Sequence, residues 1–115
     1  MKIIIKKKPR IFKINVGNKK IQLKDTAKIV LNKNEQVTFK KSNSEYDVAK
    51  KDWGYYATPS INGRLKKFGF RTFLIKNKKK QLFVFLVHKD KITSFRKYCK
   101  DDNQKVIKEL TNGFK

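Results

Sequence analysis

Phe70-Arg-Thr-Phe-Leu-Ile-Lys76, Asn77-Lys-Lys-Lys80 and Gln81-Leu-Phe-Val-Phe-Leu-Val-His88 form the continuous stretch on which the fold turns. Two runs rich in aromatic and β-branched residues flank four polar, turn-prone ones, the pattern of a β-hairpin. The second run is apolar at every position from Leu82 to Val87. It therefore predicts a strand covered on both faces, at the centre of a sheet.

Toward the N-terminus, Lys2 to Val48 alternates apolar and polar residues in short runs. These are Ile3 and Ile5; Phe12, Ile14 and Val16; Ile21 and Leu23; Ala27, Ile29 and Leu31; Val37 and Phe39; Tyr46 and Val48. A period of two puts each set on one face of a strand, so this half predicts a small antiparallel sheet or partial barrel. Breaks are expected at Pro9, Gly17-Asn18, Asp25-Thr26, Asn32-Lys33-Asn34 and Ser42-Asn43-Ser44, whose residues tolerate turn conformations.

Helices are expected in two places. Thr58 as cap, Pro59 at the first helical position, then Ile61, Leu65 and Phe68 before Gly69 predict a helix over 59–68. Ile92, Phe95 and Cys99, then Val106, Ile107 and Leu110, keep helical spacing on either side of Asp101-Asp102-Asn103. They predict two short C-terminal helices, or one broken one. The expected architecture is α+β, one domain over 1–115: a mostly antiparallel sheet or partial barrel, a short central helix, and C-terminal helices on one face.

The 115 residues, 38% of them hydrophobic, suffice for one core and not for two. Lys and Arg number 31 against nine Asp and Glu, a net charge of +22, which makes a polyanionic or acidic partner the first to consider. Arginine, however, is confined to Arg10, Arg64, Arg71 and Arg96. Base reading favours the planar guanidinium fork, so a sequence-specific nucleic-acid reader is disfavoured. An AT-rich coding sequence would give the same Lys and Asn excess on solvated faces, so charge alone assigns no ligand.

The longest apolar runs, Ile3–Ile5 and Leu82–Val87, are too short to cross a bilayer or to serve as a signal peptide, and a cytoplasmic protein without a membrane span is expected. Cys99 and His88 are each the sole residue of their type. A Cys/His zinc site lacks ligands, no disulfide can close within the chain, and no cofactor or metal is expected. His88 reads as a strand-end residue and Cys99 as helix core.

Residues 42–60 escape the Lys enrichment, with two basic and three acidic groups. Glu45-Tyr-Asp-Val48 and Lys51-Asp-Trp-Gly-Tyr-Tyr-Ala-Thr-Pro-Ser-Ile-Asn-Gly-Arg-Leu65 gather the only Trp and three of four Tyr beside three acids and an Arg. If a helix begins near Pro59, its free N–H groups, the Ser60 hydroxyl and the Arg64 guanidinium could hold an anion beyond Thr58. Trp53, Tyr55 or Tyr56 could then pack on an attached ring, and Asn62 or Asp52 could bond its hydroxyls. Against this stands plain structure: Arg64 pairing with Asp52 or Glu45, Trp53-Gly54 as a packed turn, and Thr58-Pro59-Ser60 as ordinary capping.

These blocks, with Phe68-Gly-Phe-Arg71 after them, resemble a small uncharacterised bacterial family of single-domain proteins whose blocks read EYDV and KDWG-x-YATPS-x-NGRL. The resemblance spans about residues 35 to 98, marks the segment, and implies no established activity. Lys66 to Phe73 also resembles the RNP1 strand of RNA-recognition motifs. That motif needs a helix straight after this strand, where a hairpin is expected here, so Phe68, Phe70 and Phe73 read as core.

The leading reading is a non-catalytic cytoplasmic binding module. Its site would comprise Glu45, Asp47, Asp52, Trp53, Tyr55, Tyr56, Thr58, Ser60, Asn62 and Arg64, taking a small anionic or sugar-like ligand or an acidic partner segment. The alternative is a sequence-nonspecific RNA or DNA binder using the Lys-rich surface. A third is a small enzyme using a carboxylate among Glu45, Asp47 and Asp52, whose spacing fixes no dyad. A purely structural subunit is the fourth. Nothing in the sequence sets an oligomeric state.

Overall fold

The computed structural model describes residues 1–114. Strand β1 (Lys2–Val16) pairs with β2 (Lys19–Val30) as a two-stranded ribbon. Strands β3 (Gln36–Lys41), β4 (Ser44–Lys51) and β5 (Gly54–Ala57) form a meander, followed by the single-turn helix α1 (Arg64–Lys67). Then come β6 (Phe70–Lys76), β7 (Leu82–His88), helix α2 (Ile92–Asp101) and β8 (Lys105–Glu109), and the last sheet has the order β7-β6-β8. All pairings are antiparallel. The sheet-rich expectation holds, while the helical content is lower than the sequence predicts.

The core lies between the β7-β6-β8 sheet and α2. Alternation along β6 and β7 sends Phe73, Ile75, Phe85 and Val87 to one face, where Phe95 and Cys99 of α2 meet them. The rings of Phe73 and Phe95 stack at 4.8 Å between centroids, with Phe85 edge-on to Phe95 at 6.2 Å. Full burial of one such side chain is worth about 1.5–3 kcal/mol, so this cluster dominates what holds the half together. Cys99 lies in this core as expected, and burial pushes its thiol pKa up. His88 packs its ring on Phe70.

Four sequence expectations are corrected. The central strand is β6, and the charge-free run β7 is an edge, with Leu82 61% and Val84 59% exposed. A continuous apolar run reports two apolar faces and says nothing about whether the outer backbone edge is paired. The 59–68 helix shrinks to one turn, because the Thr58 N–H donates to the Asp47 carbonyl and residues 60–63 close tight turns instead. The second C-terminal helix is strand β8. Gln104 N–H caps α2 on the Cys99 carbonyl, Asn103 takes φ +54°, and the reversed chain pairs with the otherwise open edge of β6. A long-range ladder outweighs local helical spacing there.

Lastly, Pro9 and Asp25-Thr26 do not end strands. Between the pairs Ile5–Ala27 and Arg10–Asp25 the register slips, so residues 6–9 bulge outward opposite Thr26. A bulge on an edge strand is where proline, lacking an N–H, is tolerated. Lys6 and Arg10 both bond Asp25 Oδ2, at 2.5 and 2.8 Å, and lower the Asp25 pKa. The expected turn at Gly17-Asn18 is present. Gly17 adopts φ +59° and lies so near Asp101 that a Cβ would fall 3.2 Å from the Asp101 Cβ. The ribbon tip therefore rests against the end of α2.

Strand β8 is pinned to β6 by a bidentate pair: Arg71 Nε and Nη2 donate to Glu109 Oε2 and Oε1 at 2.8 and 2.6 Å. Thr111 Oγ1 donates to the same carboxylate at 2.7 Å and accepts the Thr72 N–H at 3.0 Å. The Arg71 bonds lead in holding the Glu109 pKa down at about 2.

Two predictions follow from this packing. Phe73→Ala should cost about 3–5 kcal/mol in urea unfolding, the range for emptying a buried aromatic site; a loss below 1 kcal/mol would remove Phe73 from the core. Because Glu109 is more acidic folded than unfolded, its stabilisation is complete above about pH 4.5 and lost as pH falls toward 2. Glu109→Gln should be less stable by about 1 kcal/mol at pH 6 and should flatten that acid limb of the unfolding curve.

Candidate functional site

Strand β4 divides the suspected segment between its two faces. Glu45, Asp47 and Ala49 point one way, and Tyr46, Val48 and Lys50 the other. Register carries the division to β5: Tyr56 lies opposite Ala49, while Tyr55 lies opposite Lys50 and Ala57 opposite Val48. Tyr55 is thus on the other side of the sheet from Asp47 and Tyr56.

On the first face Asp47 is 3% exposed. Arg64 Nη2 reaches its Oδ2 at 2.8 Å and Thr58 Oγ1 at 2.9 Å, while Thr58 Oγ1 donates to Asp47 Oδ2 at 3.3 Å. Asp47 Oδ1 is enclosed and accepts no hydrogen bond from the described residues. A buried carboxylate requires its cation, so Arg64 is committed to a structural clamp that ties residues 58–64 to β4. The anion clamp suggested by Ser60, Arg64 and helix amides does not assemble. The helix begins at Arg64, its N-cap Gly63 packs so tightly on Ser60 Oγ that no Cβ fits, and no side chain caps it.

None of the three carboxylates bonds another, although Glu45 and Asp47 share a face of β4. Glu45 lies 3.9 Å from Lys40 Nζ. Asp52 sits in the β4–β5 turn, two-thirds exposed, 3.9 Å from Lys33 Nζ. Strand geometry places it about 15 Å along the sheet from Asp47, far beyond a shared-proton pair. Trp53, 70% exposed, stacks on Tyr56 at 5.9 Å, and Lys50 stands over Tyr55 at 5.2 Å. None of these aromatics lines the cavity that Ser60 and Asn62 reach, and Tyr55 instead lines a gap beside Val48 and the ribbon's Ala27 and Ile29. No cluster of three metal-ligating side chains occurs among the described residues.

The opposite face of β4 meets the other half of the molecule. Tyr46, Ala57 and the 59–62 segment face Thr72, Val84 and Leu86 of the β7-β6-β8 sheet across a cavity of about 490 Å³, closed by Leu65, Leu110, Gly113 and Phe114. Its walls are mostly apolar, with polar groups on the side chains of Tyr46, Ser60, Asn62 and Thr72. Thr72 is wholly buried, and its Oγ1 has no hydrogen-bond partner among the described residues. Lys108 Nζ stands 4.4 Å over the ring of Phe114, at the rim.

Of the residues singled out in the sequence, Asp47, Thr58 and Arg64 meet one another, and Ser60 and Asn62 reach the cavity. Glu45, Asp52, Trp53, Tyr55 and Tyr56 join neither group. Tyr46, Thr72, Val84, Leu86 and Leu110 were missed. The one legible signal was Thr72, the only polar residue besides Arg71 in Phe70–Ile75.

No protein-family model, no curated protein and no solved structure matches the chain.

The clamp has a measurable consequence. Arg64→Ala should destabilise by about 2–4 kcal/mol by leaving Asp47 buried and unpaired, and Asp47→Ala combined with it should cost clearly less than the sum of the single changes. Additive losses in urea unfolding would show that the two residues do not act as a pair.

Proposed function

We propose that the chain is a non-catalytic binding module whose site is this cavity, with a small anionic ligand carrying an apolar body as its occupant. The observation that carries the reading is the fully buried, unpartnered hydroxyl of Thr72 in a mostly apolar wall. A buried polar group without a partner costs free energy, and a ligand acceptor or donor beside it recovers that cost. Volume and lining match the usual small-molecule site: mostly apolar, with a few convergent polar groups.

Charge supports the anionic head. The chain carries +22, and Lys108 stands at the rim beside Phe114. A sugar-like ligand with hydroxyls on every side would find four side chains with polar groups among many apolar ones, so the apolar body is the better fit. The cavity wall over 57–65 belongs to the block that resembles the bacterial family, and the Asp47–Thr58–Arg64 clamp holds that wall in place.

The test compares medium-chain fatty acids and isoprenyl or aryl phosphates with glycerol phosphate and glucose phosphate, which lack an apolar body. Binding is followed by chemical-shift changes of the protein. A ligand of the first group should saturate at cavity residues, and Thr72→Val should weaken it about five- to tenfold, the worth of one hydrogen bond. Without ligand, Thr72→Val should melt no lower than the wild type, since it removes an unsatisfied hydroxyl. Unchanged affinity in Thr72→Val, or saturation by the sugar phosphate alone, would overturn the reading.

A further inference from the structure

Five of the ribbon's nine lysines share one face. Pairing through β1 and β2 places Ile3, Ile5, Phe12, Ile14, Val16, Ile21, Leu23, Ala27 and Ile29 on one side. That side turns toward the body: Val16 is 4% exposed, and Ala27 and Ile29 line a small gap against Val37, Phe39 and Val48. The other side carries Lys2, Lys13, Lys20, Lys24 and Lys28, all exposed, with Asn15, Gln22 and the exposed Ile4, Ile11 and Val30 between them.

Amphipathic strands put polar residues outward in any case, so a lysine face is not in itself a site. Residues 61–88 are equally free of acid, but here the lysines are aligned along one face of a two-stranded ribbon with no carboxylate on that face. Asp25, the ribbon's sole carboxylate, lies on the inward face, bound by Lys6 and Arg10. None of the five outward lysines makes an ion pair with any described residue. Five ammonium groups therefore stand unneutralised along one surface. Strand geometry spaces Lys20, Lys13 and Lys24 about 7 Å apart along the ribbon and carries Lys28 to about 27 Å and Lys2 to about 34 Å from Lys20, the last close to one turn of a B-form duplex.

We propose that this outward face is a sequence-nonspecific binding surface for duplex DNA, the ribbon lying in the major groove with its lysines on phosphates. The major groove, about 12 Å wide, admits a two-stranded β-ribbon, while the major groove of an RNA duplex is too narrow. Lysine without arginine on this face suits phosphate contact rather than base reading, and Asn15 and Gln22 can bond base edges without setting a sequence. The surface is independent of the cavity and stands on a separate observation.

The test is fluorescence anisotropy with a labelled mixed-sequence duplex of about 20 base pairs between 50 and 200 mM salt. Five phosphate contacts predict a log–log salt slope of about −4 to −5. Substituting Lys13, Lys20 and Lys24 together by Gln should reduce the slope by about 2.7, three contacts' worth, whereas the same three changed to Arg should keep it. Changing Lys78, Lys79 and Lys80 to Gln removes equal charge from the β6–β7 turn and should leave the slope nearly unaltered. Equal losses in the two Gln variants would reduce the binding to net charge and overturn the proposal. Equal affinity for anionic lipid vesicles, lost on the same ribbon substitutions, would move the partner to a membrane surface and overturn it too. Unchanged melting temperature in each variant establishes that the ribbon is intact.

Discussion

Strand β6 has no free edge and no free face, and the rest of the C-terminal half is arranged by that fact. β7 and β8 occupy its two edges, α2 covers Phe73 and Ile75, and Thr72 faces the cavity. Phe73, Ile75 and Thr72 are each at most 1% exposed. A strand buried this completely must satisfy every backbone group through its neighbours. This is why residues 105–109 are recruited into the sheet as β8 despite spacing that suits a helix.

The suspected site is organised by an equally local constraint. Asp47 is a carboxylate on the inward side of a strand, and burial obliges it to hold a cation. Arg64 fills that role, which removes it from ligand recognition but holds residues 58–64 as a wall over the second sheet. One face of β4 thus anchors the segment while the other face, through Tyr46, lines the cavity that the segment encloses. The structural clamp and the cavity use opposite sides of the same strand.

The ribbon is the least self-sufficient element. Two strands alone are marginal in water, and Phe12, Ile14, Ile21 and Leu23 remain 38–54% exposed on the side that turns toward the body. Contacts at its tip, where Gly17 meets Asp101, and at its root, beside Val37 and Val48, hold it instead of a full apolar cover. Its free surface carries five lysines interspersed with Ile4, Ile11 and Val30.

Much of the secondary structure was legible from period and turn chemistry: the 70–88 hairpin, the turns at Gly17-Asn18 and Ser42, the helix at 92–101, and core positions for Phe73, Phe95 and Cys99. These depend on neighbours close in sequence, or on an apolar side chain's need to leave water. Tertiary structure alone decided that β7 is an edge, that Val106 lies in a strand, that Arg64 belongs to Asp47, and that Thr72 faces a cavity beside Ser60 and Asn62. Each depends on which residue, tens of positions away, supplies the missing partner for a backbone edge or a buried charge. A one-dimensional pattern shows that such a group needs a partner, but the three-dimensional packing selects it.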